Sequence, residues 1–162
     1  MRLLRQLLVA SALSLLPAAA WAEGTRIAFG NVKQDTSQPV EVTADNLAVN
    51  QNDGTAVFTG NVLIGQGEMR LSAPKVQVYY NEDGNRIERM QASGGVTLVS
   101  GQDAAEAAQA DYNIDTGMIH LQGDVLLVQK QSALTAEQMV VDTRAGTARM
   151  EGRVKTVLQT NE

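Results

Sequence analysis

The chain of 162 residues contains no cysteine. Disulfide stapling is excluded, so core burial and backbone pairing must hold the fold together. Aromatic residues are scarce, with one Trp, two Phe and three Tyr. The apolar complement is instead mostly Val, Ile, Leu, Met and Ala. His120 is the one histidine, and no HExxH, triad or ligand cluster surrounds it. Metal and nucleophilic chemistry therefore lack their parts. No glycine-rich loop is followed by Lys-Ser or Lys-Thr, and Gly65-Gln66-Gly67 reads as a strand-end turn. Basic residues form no cluster and the net charge is −5, which argues against nucleic acid as a partner. Only one long apolar run is present, and it lies at the start of the chain.

That run reads as a secretory signal peptide, residues 1–22. Arg2 and Arg5 form its basic region, Leu7 to Leu16 its apolar core, and Ala20-Trp21-Ala22 its cleavage site. Cleavage after Ala22 and export are expected. An uncleaved anchor is the alternative, and the run is short for one. Removing the two arginines takes the net charge from −5 to −7. Residues 23–38 form a lead-in, 39–159 one domain, and 160–162 a short tail.

What is present is a repeat. Gly60-Asn61-Val62, Gly94-Gly95-Val96, Gly123-Asp124-Val125 and Gly152-Arg153-Val154 recur at intervals of 34, 29 and 29 residues. Such a period marks a stacked architecture. A second beat lies between: Thr43-Ala44-Asp45, Ser72-Ala73-Pro74, Gln109-Ala110-Asp111 and Thr135-Ala136-Glu137. Asp-Gly and related turns at Asp53-Gly54, Asp83-Gly84, Thr116-Gly117 and Ala145-Gly146 mark hairpins. Each unit thus reads as one long hairpin with a bend in each arm, at the Ala beat and at the glycine. Small residues suit a sharp strand corner. Four units predict an all-β fold of about sixteen short antiparallel strands in two facing sheets. Apolar residues alternate, as in Val62/Ile64, Val96/Leu98 and Val125/Leu127, so each sheet has one buried face. The weakly polar stretch Ala104–Ala110 is read as strand.

The blocks Gln38-Pro39-Val40-Glu41-Val42, Ala44-Asp45 and above all Phe58-Thr59-Gly60-Asn61-Val62 resemble the OstA-like family of periplasmic lipopolysaccharide-transport proteins. The likeness spans nearly the whole chain after residue 22. It departs from the family pattern in its short C-terminal end and its Gly94-Gly95-Val96 beat. The resemblance implies an incompletely closed β-jellyroll, a taco shape, whose apolar interior holds the acyl chains of lipid A. It implies no enzymatic activity and no cofactor. It further implies an LptC-like inner-membrane partner, an LptD-like outer-membrane partner and head-to-tail self-association. The function expected on this ground is a lipopolysaccharide-binding bridge or carrier between inner and outer membrane.

The residues themselves allow that trough or a dry β-stack that also favours Val and Ile. The candidate interior comprises Val40, Val42, Val62, Ile64, Leu71, Val78, Val96, Leu98, Tyr112, Ile114, Leu121, Val125, Leu127, Met139, Val141 and Met150. For each, packing without lipid contact is the alternative. Arg70, Lys75, Arg86 and Arg89 are candidates for phosphate contact or merely for solubility. Pro39, Val40, Glu41, Val42, Val154, Lys155, Thr156 and Val157 mark the edge strands expected to meet partners, although Pro39, Arg153 and Lys155 also suit edge protection. Eight strands per sheet at ~4.8 Å make a stack of roughly 40 Å. A structural interaction module with a dry core remains the second reading. An enzyme on the Tyr79, Tyr80, Arg86 and Arg89 face is a third.

Overall fold

The computed structural model describes residues 26–30 and 37–158. The expected signal peptide, parts of the lead-in and the tail lie outside the described residues. Eleven strands and no helix occur within them. They are β1 (Arg26–Ala28), β2 (Glu41–Thr43), β3 (Asn46–Asn50), β4 (Thr55–Gln66), β5 (Met69–Tyr80), β6 (Ile87–Ser100), β7 (Asp103–Asn113), β8 (Met118–Gln129), β9 (Ser132–Asp142), β10 (Thr147–Glu151) and β11 (Lys155–Leu158). All pairings are antiparallel within one unclosed sheet of order β1-β10-β9-β8-β7-β6-β5-β4-β2. Beside this path β3 pairs with β4, and β11 with β9.

The glycine beats bend this sheet double. On β8, Gly123 and Asp124 together face the single residue Glu137 of β9. Both have positive φ, 83° and 49°. One extra residue per corner is a β-bulge, which kinks its strand. The same left-handed pair recurs at Gly60-Asn61, Gly94-Gly95 and Gly152-Arg153. The second member is Asn, Gly or Asp at three corners, residues that enter this region at low cost. Arg153 is the exception, and its Nε donates to Glu137 Oε1 at 2.6 Å. Asn61 Nδ2 similarly donates to Asp45 Oδ2 at 2.8 Å.

Each long strand, β4 to β9, therefore gives one half to each of two facing layers. The upper layer runs β3, then the halves of β4 to β9 next to the loops 51–54, 81–86, 114–117 and 143–146, then β10 and β1. The lower layer runs β2, the other halves of β4 to β9, then β11. Eleven strands replace the sixteen expected because the ladder continues through most corners. Counted by halves, the layers hold seventeen segments. A second correction concerns the third Ala beat. The β7 corner lies at Ala107-Ala108, where both residues break the ladder to β8 and Ala108 alone faces Gly94-Gly95 of β6, and not at Gln109-Ala110-Asp111. Ala108 meets the Gly123 corner, whereas Ala110 is an ordinary inward residue on the straight part of β7.

Candidate functional site

Alternation and antiparallel register line the inward residues into rungs across the stack. One upper rung reads Val49, Ala56, Val78, Met90, Tyr112, Ile119, Val141, Ala148 and Ile27. Its neighbour reads Leu47, Phe58, Val76, Ala92, Ala110, Leu121, Met139 and Met150. The main lower rung reads Val42, Ile64, Leu71, Leu98, Ala105, Leu127 and Leu134, ending at Thr156. All sixteen candidate interior residues belong to or pack on this one cluster. Thirteen are buried, and Val40, Val42 and Ile114 are half-buried. Scarce aromatics leave the facing surfaces smooth: among the described residues Tyr112 and Phe29 are the buried rings.

On the side opposite the corners no backbone ladder joins the two layers, and the lower lip there is largely polar. The last lower rung reads Gln66, Met69, Ser100, Asp103, Gln129 and Ser132, of which the first four are buried. Tyr112 reaches across from the upper layer and donates its hydroxyl to Gln66 Oε1 at 2.6 Å. Burial raises the pKa of this phenol, so it remains a neutral donor. The N-terminal segment lies along the same lip. Gln129 Nε2 donates to the Ala28 carbonyl at 2.7 Å and Gly30 N to Asp103 Oδ2 at 2.8 Å. Farther along, Gln66 Nε2 donates to the Gln38 carbonyl at 3.1 Å. Phe29 is buried between these anchors, with its N–H on the Gly146 carbonyl at 3.0 Å.

The stack is open at its ends. At one end Leu47 and Val49 of β3 are 56% and 60% exposed, although they sit on the apolar rungs. At the other end Val154 and Leu158 are 45% and 66% exposed. β2 and β11 are the lower edge strands, so Glu41, Val42, Lys155, Thr156 and Val157 are edge residues, with Pro39, Val40 and Val154 just outside.

The polar candidates lie outside the interior. Arg86 is paired with Asp115 and Arg89 with Asp111, while Arg70 Nη1 donates to the Met69 carbonyl at 2.7 Å. His120 is exposed and sits beside Asp111 on the outer upper face. Arg89, Asp111 and His120 line, with Lys75, Gln77 and Gln91, a polar hollow of about 370 Å³. Tyr79 donates to Gln91 at 2.6 Å and Gln91 to Asp111 at 3.0 Å. Burial raises the Asp111 carboxyl, but hydrogen bonds from Arg89 and Gln91 outweigh it and hold it below the usual carboxylate range. Among the described residues no group of three or more His, Cys, Asp or Glu suits a metal ion.

Residues 41–147 match the family model described as LptA/(LptD N-terminal domain) LPS transport protein. The chain belongs to this family. A protein of Rhizobium meliloti with no assigned function is 29% identical over 153 residues, covering 88% of this chain and 82% of that protein. The lipopolysaccharide export system protein LptA of Escherichia coli K12 is 26% identical over 114 residues, covering 67% of this chain and 62% of LptA. The crystal structure of LptH, the LptA-homologous periplasmic component of the lipopolysaccharide transport device of Pseudomonas aeruginosa, superposes with a TM-score of 0.69 at 19% identity. It covers 78% of this chain and 99% of LptH. The LptA-like fold is thereby shown, and the family is one of transport proteins and not of enzymes.

Within this LptA-like frame, alternation found most of the interior. The candidate list left out Val76, Met90 and Ile119, which sit on the upper rungs, and Met69, which is buried between Gln66 and Ser100 on the lower lip. The polar lip was missed altogether. Its signal was present: Ile64-x-Gln66, Leu98-x-Ser100 and Leu127-x-Gln129 each place a polar residue two positions beyond an inward aliphatic one. Phe29 and β1 had no such signal, because their partners are more than a hundred residues away.

Proposed function

We propose that this LptA-like chain carries lipopolysaccharide from inner to outer membrane, with lipid A acyl chains between the two layers. The observation that supports it best is the course of the apolar rungs, which run through the whole stack and surface at Leu47 and Val49. Each methylene moved from water into such a slot contributes ~0.8 kcal/mol. The carrier needs no reaction for this, only smooth apolar walls. The polar lip of Gln66, Ser100, Asp103 and Gln129 suits the sugar headgroup at the side opposite the corners. Entry of acyl chains requires the Tyr112–Gln66 contact and the Phe29 segment to give way.

In this reading residues 1–22 direct export and are cleaved after Ala22, and residues 39–159 form the working domain. An LptC-like protein delivers lipid at one end and an LptD-like protein receives it at the other. Copies join head to tail through their edge strands, since one stack of roughly 40 Å is too short for the gap. Photocrosslinking side chains at Val42, Leu98 and Tyr112 are expected to capture glycolipid in cells, and one at Gln91 on the outer face is not. Clean failure at every inward position refutes the proposal.

One observation favours the second reading, a dry interaction module. Thirteen of the sixteen inward candidates are already buried with the layers closed on each other. Native mass spectrometry of chain purified from the periplasm separates the two. Retained lipopolysaccharide supports the carrier, whereas lipid-free assemblies support the module.

A further inference from the structure

Counting strands layer by layer isolates β1. Without it, each layer holds eight: β3, six halves and β10 above, β2, six halves and β11 below. With it, the upper layer is one strand longer at the C-terminal end of the stack. Its origin is also anomalous. Every other strand pairs with near neighbours in sequence, but β1 crosses the length of the stack to pair with β10.

Direction makes the anomaly informative. β10 runs from the loop at 143–146 toward the Gly152 corner, and β1 runs antiparallel to it. β4 likewise runs from the 51–54 loop toward the Gly60 corner, and β3 runs antiparallel to it. β1 therefore lies on β10 in the same sense as β3 lies on β4. In a head-to-tail stack, β3 of the next copy belongs on β10, while β2 of that copy belongs beside β11. Both new contacts are then antiparallel and both layers stay in step. With β1 in place, the incoming β3 meets a parallel strand, and the layers are out of step by ~4.8 Å.

The rungs agree. On the β10 edge, Val49 of a second copy continues the rung of Ala148, and Leu47 that of Met150. These are the two large apolar side chains left most exposed at the opposite end. β1 also fits its seat poorly. Among the described residues it pairs with Thr147–Arg149, whereas β3 has five residues for all five positions of β10. Arg26 stands directly opposite Arg149, and facing like charges destabilise a strand pair.

We propose that β1 is a placeholder strand: it occupies the position on β10 that β3 of a second copy takes in a head-to-tail stack, and it must leave for that stack to form. This rests on the strand-addition part of the proposed function. Phe29 is the anchor that holds the closed monomer.

The absence of cysteine gives a clean test. Arg26 and Arg149 form a non-hydrogen-bonded pair, since Phe29 and Gly146 three positions along are hydrogen-bonded. Their close approach suits a disulfide in Arg26→Cys/Arg149→Cys. This variant, purified from the periplasm, is followed by sedimentation velocity across a concentration series, oxidised and then reduced. Oxidised protein is expected to stay monomeric where reduced protein and parent associate. Phe29→Ala is expected to associate about tenfold more tightly than parent, a change of about 1.4 kcal/mol. Oxidised protein that associates as well as reduced protein overturns the placeholder and leaves stacking intact. If parent, reduced protein and Phe29→Ala all stay monomeric, strand addition between copies falls as well. Because the oxidised and reduced forms share one sequence, a folding defect in Phe29→Ala leaves the test decisive.

Discussion

The corner at Gly123 yields a prediction whose parts are separable. A Cβ added there would lie 2.7 Å from the Ala108 Cβ, with the next atoms of Ala108 at 3.7 and 3.8 Å. The φ of 83° adds a second penalty. Left-handed backbone costs an L-residue about 1–2 kcal/mol, and a forced side-chain overlap about 1–3. Gly123→Ala should therefore destabilise by about 2–5 kcal/mol. Gly95→Ala isolates the backbone part, because φ is 96° and nothing lies within 4 Å of its added Cβ; about 1–2 kcal/mol is expected. Ala108→Gly removes the obstacle and alone costs about 0.5–1 kcal/mol. In that background Gly123→Ala should fall to the Gly95→Ala value, a coupling of about 1–3 kcal/mol. Urea unfolding followed by circular dichroism gives these numbers if m is unchanged. Equal costs for Gly123→Ala and Gly95→Ala, or no relief from Ala108→Gly, would refute both the clash and the placement of the β7 corner at Ala107-Ala108.

Three further outcomes are expected. Tyr112→Phe removes the bond across the side opposite the corners and should cost about 1–3 kcal/mol, because Gln66 Oε1 loses a buried donor; urea midpoints check it. Arg153→Gly loses an exposed ion pair worth about 0–1 kcal/mol but relieves left-handed strain of about 1. The thermal midpoint should hardly move, and a large drop would assign the Glu137 contact more than surface weight. Asp111→Asn should destabilise at neutral pH and lose its effect in acid. The folded carboxyl titrates below its unfolded value of about 3.9, so its contribution is full above that pH and is lost as pH falls through the lower folded value. Melting curves of variant and parent at neutral pH and near pH 3 test the convergence.

Much of the fold was legible because its grammar is local. A Gly-x pair bends a strand whatever lies around it, and an Asp-Gly turn closes a hairpin on its neighbour. Period-two alternation then assigned Val62, Leu98, Leu127 and Met139 to the inside. The misplaced corner has a simple cause: alanine carries little directional information. In Ala104-Ala105-Glu106-Ala107-Ala108-Gln109-Ala110 three placements of the corner look alike. Only pairing against the Gly123 and Gly94 bulges selects Ala107-Ala108. The polar lip escaped because a polar residue at an inward position reads as the end of a strand. β1 escaped because three residues with a partner across the whole stack leave no periodic trace.

The same bulged hairpin makes the molecule a ruler with fixed graduations. From Gly94 to Gly123, 29 residues add two strands to each layer, or ~10 Å of length. Every inner rung gains its next members in register, because the corners recur at the same place in each unit. Duplication or loss of one unit therefore changes the span in whole steps of ~10 Å while leaving both end faces unaltered. A lineage is free to retune the reach of such a device without redesigning the surfaces by which its pieces meet.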